Sequence, residues 1–246
     1  NGDFTYNLAG NFMFAKNKVI YMDETPQPEG YEYLYLTGHP MGSSLYYQCI
    51  GINRTEEDLK NYPQMAGSGL GDYIYKDIDE NGKIDAKDML RSDLNTIPQI
   101  VFGLTANFQY KNFDLSILFQ GQALARLHYT PLQAPLEGNI TKEMATQSWN
   151  LDRPDAKYGR INSTNNRKES TMWLRNASFL RLKNVELGYN FSGKALKTVG
   201  VKGLRLYIGG YNLFTISGLK EVDPETNNTA AYPLMRVFNT GVKVTF

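Results

Sequence analysis

The final segment of the chain, residues 238–246, alternates between two kinds of side chain and ends on a phenylalanine. Side chains along a β-strand point to opposite faces with a period of two residues. One face of this segment would carry Phe238, Thr240, Val242, Val244 and Phe246, and the other Asn239, Gly241, Lys243 and Thr245. Water-soluble domains ordinarily end in a few loose polar residues. A two-faced strand that ends on an aromatic residue therefore constrains the fold more than any other feature.

This pattern is typical of the closing strand of a bacterial outer-membrane β-barrel, where one face meets lipid and the other a wet lumen. The 17 Tyr and 12 Phe suit the aromatic belts of such a barrel, but they suit a soluble β-sandwich equally. No apolar run is long enough to predict a transmembrane helix. The single cysteine, Cys49, excludes a disulfide framework within the chain. The net charge of +1 predicts no nucleic-acid partner.

Alternation predicts six strands and two shorter candidates. The strands are Phe4–Phe14, Val101–Tyr110, Phe113–Gln120, Phe179–Phe191, Leu204–Phe214 and Met235–Phe246, and the shorter candidates are Ser44–Ile52 and Asp72–Lys76. Lys111-Asn112 reads as a two-residue hairpin turn between two of the strands. Leu180 and Leu182 are out of phase with the rest of their strand, which predicts a β-bulge near Lys183-Asn184.

The lengths of the links favour the barrel over the alternative, a soluble antiparallel sandwich with one buried face. Short links, at 111–112 and 192–203, alternate with long ones at 77–100, 122–178 and 215–234. Outer-membrane barrels have short periplasmic turns and long extracellular loops, whereas long unstructured loops are uncommon in compact soluble domains. The chain enters its first strand directly after Asn1-Gly-Asp3, without an initiator Met or a signal peptide. We therefore expect a fragment whose barrel is completed by other strands, because an open sheet edge cannot persist in lipid.

An acidic loop, residues 77–88, is the sharpest local motif. Its spacing follows an EF-hand loop, with oxygen ligands at positions 1, 3, 5 and 9, glycine at 6, a backbone carbonyl at 7 and an acid at 12. These positions are Asp77, Asp79, Asn81, Asp85, Gly82, Lys83 and Asp88. Asp88 replaces the usual bidentate Glu, and Tyr73-Ile-Tyr75 before the loop reads as strand rather than helix. We expect a structural Ca²⁺, or Mg²⁺, with Ile84 anchoring the loop; the alternative is an Asx-rich turn that needs no ion.

The remaining candidates lie on the predicted polar face and in the links. The polar wall of the lumen would consist of Thr105, Asn107, Asp114, Ser116, Gln120, Glu186, Asn190 and Arg205. Trp149 and Trp173 could stack on a sugar ring or pack the long link. His39 and His128 lack metal-ligand neighbours and are expected to be exposed, and Glu56-Glu57 is expected in a solvated helical turn. No catalytic motif is present, so no enzyme is predicted.

Several motifs together carry a resemblance that spans nearly the whole chain. They are Tyr73-Ile-Tyr-Lys-Asp77 before the acidic loop, Phe102-Gly-Leu104, Tyr110–Ser116, Phe119-Gln-Gly121, Trp173–Tyr189, Tyr211-Asn-Leu-Phe214 and Gly241–Phe246. In combination they resemble the C-terminal third of SusC-like TonB-dependent transporters of Bacteroidota. The resemblance implies an all-β, antiparallel transmembrane barrel of 22 strands, of which residues 1–246 would supply about eight C-terminal strands. The plug and the N-terminal strands would lie on a preceding segment.

The resemblance also implies partners and a function. Such transporters are opened by the TonB complex and capped by a SusD-like lipoprotein, a lid over captured oligosaccharide or, less often, peptide. A dimer of transporter–lid pairs is implied as well, and the terminal strand, with Phe238, Val242, Val244 and Phe246, resembles the signal read by the barrel-assembly machinery. The leading prediction is part of an oligosaccharide importer in the bacterial outer membrane. The alternatives are a peptide importer of the same family and a secreted calcium-binding β-module that holds carbohydrate.

Overall fold

The computed structural model describes residues 3–129, 140–191, 196, 198, 200–220, 222–226 and 231–246. The chain forms two compact units. The first comprises Asn1–Ala15, Pro98–Ala125 and Asn176–Phe246, and the second comprises Lys16–Ile97 and Arg126–Arg175. Parts of three predicted links, at 130–139, 192–195 and 227–230, lie outside the described residues. Within the described residues, no helix has the length and apolar character needed to cross a membrane.

Long strands build the first unit, whereas the strands of the second unit are only three or four residues long. Numbered along the chain, they are β1 Phe4–Phe14, β2 Ser44–Tyr47, β3 Cys49–Ile52, β4 Tyr73–Tyr75, β5 Met89–Ser92, β6 Ile100–Tyr110, β7 Phe113–Ala123, β8 Arg126–His128, β9 Leu174–Asn176, β10 Phe179–Phe191, β11 Gly203–Ser217 and β12 Val237–Thr245. The helices are α1 Glu56–Asn61 and α2 Lys142–Gln147, and 3₁₀ turns lie at Glu32–Leu34, Ala86–Asp88, Asn165–Arg167 and Thr171–Trp173.

The first unit is one antiparallel sheet in the order β1-β6-β7-β10-β11-β12. Its register places apolar residues of neighbouring strands beside one another on the same face. A single apolar row crosses all six strands through Phe4, Tyr110, Phe113, Tyr189, Leu206 and Val242. The predicted division of each strand into an apolar and a polar face is therefore confirmed, as is the hairpin turn at Lys111-Asn112.

A β-bulge interrupts β10 between Leu182 and Asn184, in its pairing with both neighbouring strands. One extra residue shifts the alternation by one position. Leu182 thereby pairs with Phe119 and Phe214 on the apolar face, although it is out of phase with Val185 in the sequence. The predicted bulge is confirmed. It keeps the apolar side chains of both halves of β10 on the same face of the sheet.

The number of strands in the sheet differs from the prediction. Within the described residues the sheet has six strands, not about eight, because the two shorter candidates fold elsewhere. They contribute to two-stranded sheets of the second unit, in which β2 pairs with β5 and β3 with β4, and a third such sheet joins β8 to β9. The long links, 15–99 and 124–178, thus contain small sheets and helices of their own.

The second unit has a core rich in tyrosine and tryptophan. Tyr73 and Tyr75 of β4 are each 2% exposed, and Trp173 packs edge-on against Tyr73 with 5.7 Å between the ring centroids. The Tyr75 hydroxyl donates to the Asn165 carbonyl at 2.7 Å, and the Tyr73 hydroxyl accepts from the Gly159 N–H at 3.1 Å. Burial raises the pKa of both phenols. The hydroxyls of the core are thus satisfied internally while their rings are removed from water.

The polar stretch around Glu56-Glu57 forms the short helix α1, as expected. Thr55 caps it by accepting from the Asp58 N–H, and the Asp58 side chain accepts from the Thr55 N–H in return. This capping box satisfies two backbone donors at the helix start. No residue of α1 is buried, so the helix is a solvated turn of the link.

Candidate functional site

The predicted lumen residues all lie on the polar face of the sheet. Asn107 pairs with Ser116, Ser116 pairs with Glu186, and Asn190 pairs with Arg205. Asp114 and Gln120 share the face with Ser116 because they are two and four residues away on β7. The sheet thus brings together residues from four strands that are up to 100 positions apart in the chain. Their contact with a substrate stays a prediction.

A charged network spans three strands of this face. Arg205 of β11 donates from Nε to Asp114 Oδ2 of β7 at 3.0 Å, and from Nη2 to Asp114 Oδ1 and, at 2.8 Å, to Glu186 Oε1. Asn190 Nδ2 adds a bond to Asp114 Oδ2 at 2.7 Å. Planar guanidinium and carboxylate groups match in this two-pronged way and fix each other's orientation. The network therefore ties β7, β10 and β11 together across the face.

Gly188 makes this network sterically feasible. It lies on β10 between the strands that carry Asp114 and Arg205, and a Cβ atom there would lie 2.6 Å from Arg205 Cζ. The guanidinium therefore crosses β10 directly over the glycine backbone. The prediction placed Asp114 and Arg205 on one face but gave no reason for a contact between residues two strands apart.

A second charge cluster, centred on Arg181, was missed from the sequence. Arg181 Nε donates to Thr215 Oγ1 at 2.8 Å, and Nη2 donates to both carboxylate oxygens of Asp223, at 2.7 and 2.8 Å. Nη1 reaches Glu225 Oε2 at 2.6 Å, and Lys183 Nζ reaches Glu225 Oε1 at 2.8 Å. The Arg181 side chain is only 2% exposed. The cluster holds residues 223–225 of the β11–β12 connection against the sheet. The sign of it in the sequence is the pair of basic residues in β10, Arg181 and Lys183.

The acidic loop has the turn that its spacing predicts. Gly82 has a positive φ of 79° and its N–H donates to Asp77 Oδ2 at 2.7 Å. Ile84 is 6% exposed, so it anchors the loop as expected. Carboxylate oxygens of Asp77, Asp79 and Asp88 all lie within 4.8 Å of one another. Oxygen atoms at that spacing are the donor type that Ca²⁺ and Mg²⁺ prefer.

The other predicted ligands of the loop are engaged with the backbone. Asn81 Oδ1 accepts from the Lys83 N–H at 2.9 Å, and Asp85 Oδ1 accepts from the Lys87 N–H at 2.8 Å. Asp88 is fully buried and accepts from the Ile78 and Asp85 N–H groups, each at 2.7 Å. These bonds are what the Asx-turn alternative requires. The structure therefore gathers three of the six predicted ligand positions, Asp77, Asp79 and Asp88.

Tyr31 joins the acidic loop from another part of the second unit. Its hydroxyl donates to Asp79 Oδ2 at 2.8 Å, and Lys87 Nζ lies 4.5 Å from the centre of its ring. This hydrogen bond lowers the pKa of the Asp79 carboxyl and raises that of the Tyr31 phenol. Asp79 is therefore held as a carboxylate whose free lone pairs remain for other donors or a cation.

The structure places the two candidate tryptophans and the two histidines. Trp173 is 2% exposed and packs in the core, so it is not available to stack on a sugar. Trp149 is half-buried, with its ring against Gly71. The expectation of exposed histidines is wrong, because His39 Nδ1 lies 2.6 Å from Asp93 Oδ1 and His128 Nε2 lies 3.2 Å from Glu169 Oε2, both partly buried. Burial lowers the pKa of His128.

Comparison with known proteins shows which proteins this chain is similar to. No family model matches the chain. TonB-dependent receptor P3 of Formosa agariphila is 27% identical over 281 residues, covering 100% of this chain and 27% of that receptor. TonB-dependent receptor SusC of Bacteroides thetaiotaomicron is 28% identical over 265 residues, covering 99% of this chain and 25% of that receptor. This chain is a relative of the TonB-dependent receptors.

The chain spans 27% and 25% of the length of these two TonB-dependent receptors. A solved structure of the RagAB peptide transporter has the same fold, with a TM-score of 0.73 and 20% identity, covering 100% of this chain and 28% of that one. The RagAB peptide importer in its closed-closed state gives a TM-score of 0.72. The all-β antiparallel fold and the resemblance to SusC-like receptors are thereby confirmed. Barrel closure and the count of 22 strands stay predictions.

Proposed function

We propose that this chain supplies membrane-spanning strands of an outer-membrane TonB-dependent importer in a Gram-negative bacterium. The two-faced sheet carries the proposal. Large apolar side chains on one face are exposed, including Phe12 at 70%, Ile208 at 60% and Phe238 at 75%. Charged side chains of the six strands are confined to the polar face and the β10 bulge; they are Asp114, Arg181, Lys183, Glu186, Arg205 and Lys243. A lipid-facing charge near the bilayer midplane would cost about 2–4 kcal/mol.

The secreted β-module is the weaker alternative, because an apolar face of this size in water favours aggregation. Membrane fractionation separates the two ideas. The importer proposal expects the native protein to remain with the outer membrane after high-salt and carbonate washes and to require detergent for release. Recovery of a monomeric, detergent-free protein that folds upon addition of Ca²⁺ would support the module and contradict the importer.

For the substrate we propose oligosaccharide, captured under a SusD-like lipoprotein, with TonB and a plug acting through the rest of the protein. The resemblance of the motifs to SusC-like transporters and the SusC relative support this. Peptide is the second candidate, because the solved structures of like fold are described as peptide transporters. The purified transporter with its lipoprotein would be titrated calorimetrically with neutral hexasaccharides of glucose, mannose, xylose or galactose, and with hexapeptides. If only the hexapeptides bound, the proposed substrate would be peptide and not oligosaccharide.

We also propose that the acidic loop holds a structural Ca²⁺, with Mg²⁺ as the competing ion. Asp77, Asp79 and Asp88 would supply carboxylate oxygens, since theirs converge within 4.8 Å. Asn81, Lys83 and Asp85 would complete the set, the Lys83 position through its backbone carbonyl, only after a local change in the bonds they now make. The bound ion would stiffen the loop against Tyr31 and would take no part in transport chemistry.

Terbium luminescence, sensitised by the nearby Tyr31, tests this site in the intact protein. We expect Ca²⁺ to displace Tb³⁺, and Asp79→Asn to weaken binding by about tenfold or more through the loss of one charged ligand. Asp152→Asn is the matched control, because Asp152 is an exposed loop carboxylate in the same unit. Equal luminescence in wild type and Asp79→Asn would leave the loop as an ion-free Asx turn.

A further inference from the structure

The polar face of the sheet is divided into a charged half and an uncharged half. Strands β1 and β6 contain no Asp, Glu, Lys or Arg. The strand charges lie on β7, β10, β11 and β12. The group of Arg181 and Lys183 with Asp223 and Glu225 is balanced in charge, whereas the Asp114–Arg205–Glu186 group keeps one excess negative charge. What β1, β6 and the Gln120 end of β7 present instead is amide and hydroxyl groups. These are Asn7, Asn11, Thr105, Asn107, Gln109 and Gln120.

These amide and hydroxyl groups are free to bind a ligand. None of the six has a side-chain hydrogen-bond partner within the part of the chain that the structure describes. Each amide offers two N–H donors and a carbonyl acceptor, and the hydroxyl offers one donor and two acceptors. The contrast with the charged half is direct, since there Asp114, Glu186 and Arg205 are bonded to one another.

The register places a depression in the middle of the uncharged half. Gly103 of β6 pairs with Asn11 on one side and with Gln120 on the other, and the next row along the strands is Ala9, Thr105 and Leu118. Small residues at 9 and 103 therefore form a floor, with an amide on each side. Two strand spacings separate Asn11 from Gln120, roughly 10 Å between backbones. The depression has a volume of about 380 Å³.

We propose that this depression is a subsite for one neutral sugar unit of an oligosaccharide moving along the polar face. A sugar ring presents several hydroxyls, each of which both donates and accepts, and flanking amides on Asn11 and Gln120 match that pattern without a counter-charge. A peptide would bring a charged amine and carboxylate to a surface that carries no opposite charge, which is unfavourable. The inference deepens the proposed function and rests on it: it names the class of substrate as uncharged and polyhydroxylated.

Filling the depression tests the subsite. In Gly103→Val, the new Cβ would meet Asn11 Oδ1 at 2.5 Å, which is the far end of a flexible side chain, so the strand can stay in place while the amide is displaced. The control is Gly203→Val on the same polar face, where a Cβ meets only Thr245 atoms at 3.9 Å or more. Using the hexasaccharide that binds the wild-type transporter–lipoprotein pair, we expect Gly103→Val to raise the Kd about tenfold, the equivalent of one lost hydrogen bond. Gly203→Val should leave it within about twofold.

Accessibility of the site provides a second readout in the same complex. Asn11→Cys should react with a small, water-soluble methanethiosulfonate added from outside, and the hexasaccharide should slow that reaction while a hexapeptide should not. Protection of Asn11→Cys without any added ligand would show that another part of the protein covers the face, which would overturn the inference. If no hexasaccharide binds the wild type, the proposed function fails. If one binds but neither Gly103→Val nor Asn11→Cys responds, the subsite alone is wrong.

Discussion

The two units of the chain solve the burial of aromatic residues in opposite ways. In the second unit, Tyr73, Tyr75 and Trp173 are each 2% exposed, and Tyr158 is 0% exposed. In the first unit, aromatic residues of the apolar face remain largely exposed, as Tyr6 at 67% and Phe12 at 70% show. The two units also use different rings, since all 12 Phe of the chain lie in the first unit and 11 of its 17 Tyr lie in the second. In the second unit, other side chains of the same unit cover the rings; in the first, the hydrocarbon of the proposed membrane would cover them.

The composition of the whole chain hides this division, because it adds the Phe-rich sheet to the Tyr-rich second unit. The second unit has internal hydrogen bonds between side chains, and buried Asn53 and half-buried Gln64 are joined amide to amide at 2.8 and 3.1 Å. The first unit has no comparable layer over its apolar face among its own described residues. The proposed barrel in lipid would reconcile the two, because its links could fold in water while its strands face hydrocarbon.

The largest expected effect comes from removing a core ring of the second unit. Trp173→Ala should cost about 3–5 kcal/mol of local stability, because the cavity beside Tyr73 cannot be refilled. Phe12→Ala on the sheet should change local stability by less than about 1 kcal/mol in micelles, since detergent fills the space. Hydrogen exchange of the β4 and β1 amides in the intact protein measures both. Equal losses at the two sites would mean that Phe12 is also packed against protein.

A positive charge placed on either of two adjacent residues of β7 tests which face of the sheet meets lipid. Leu115→Arg on the apolar face should lower the free energy of unfolding in liposomes by about 2–4 kcal/mol, because the guanidinium would meet hydrocarbon. Ser116→Arg on the adjacent polar position should be tolerated. Heat-modifiable gel mobility over a urea series reports the folded fraction of each variant. Equal penalties at 115 and 116 would remove the assignment of one face to lipid and the other to the lumen.

Much of the sheet could be predicted from the sequence because its pattern has a period of two and is repeated in every strand. The bounds of Phe4–Phe14 and Phe179–Phe191 agree with the structure, as does the bulge after Leu182. The strand count was too high because the short candidates, β2–β4, are also strands, but they pair within the second unit. Nothing local distinguishes a strand that joins a six-stranded sheet from one that pairs within a link.

Less of the candidate site could be predicted, because its contacts join residues that are distant in the chain. The sequence placed Asp114 and Arg205 on one face, but their bond depends on Gly188 lying between them. Arg181 contacts carboxylates 42 and 44 residues away, and no spacing rule identifies such partners. The turn of the acidic loop could be predicted, because it is set by consecutive residues around Gly82.

Gly188→Val should have a moderate effect on the sheet. The new side chain would occupy the path of the Arg205 guanidinium and separate it from Asp114, leaving two carboxylates without their shared partner. We expect a loss of about 1–3 kcal/mol in the free energy of folding. Gly203→Val is the control, because the same substitution there has room. A second-site change, Asp114→Asn, should cost little more in the Gly188→Val background if the network is already broken.

The smallest effect concerns the single thiol, and it compares a half-buried position of the second unit with the polar face of the sheet. Burial raises the pKa of the Cys49 thiol to about 11. Only the thiolate reacts rapidly with alkylating reagents, so at pH 7.5 Cys49 should react about 100-fold more slowly than a thiol with a pKa near 9. The rate should rise about tenfold per pH unit until the pH approaches 11.

Cysteine at Asn11 should instead react as an ordinary solvated thiol, with a plateau near pH 9. Iodoacetamide labelling of the Asn11→Cys variant, followed at both sites by peptide mass spectrometry, measures the two rates in one sample. Similar rates at both cysteines would mean that the core around Cys49 opens readily to water, and the contrast between the two units would then be smaller than their exposures indicate.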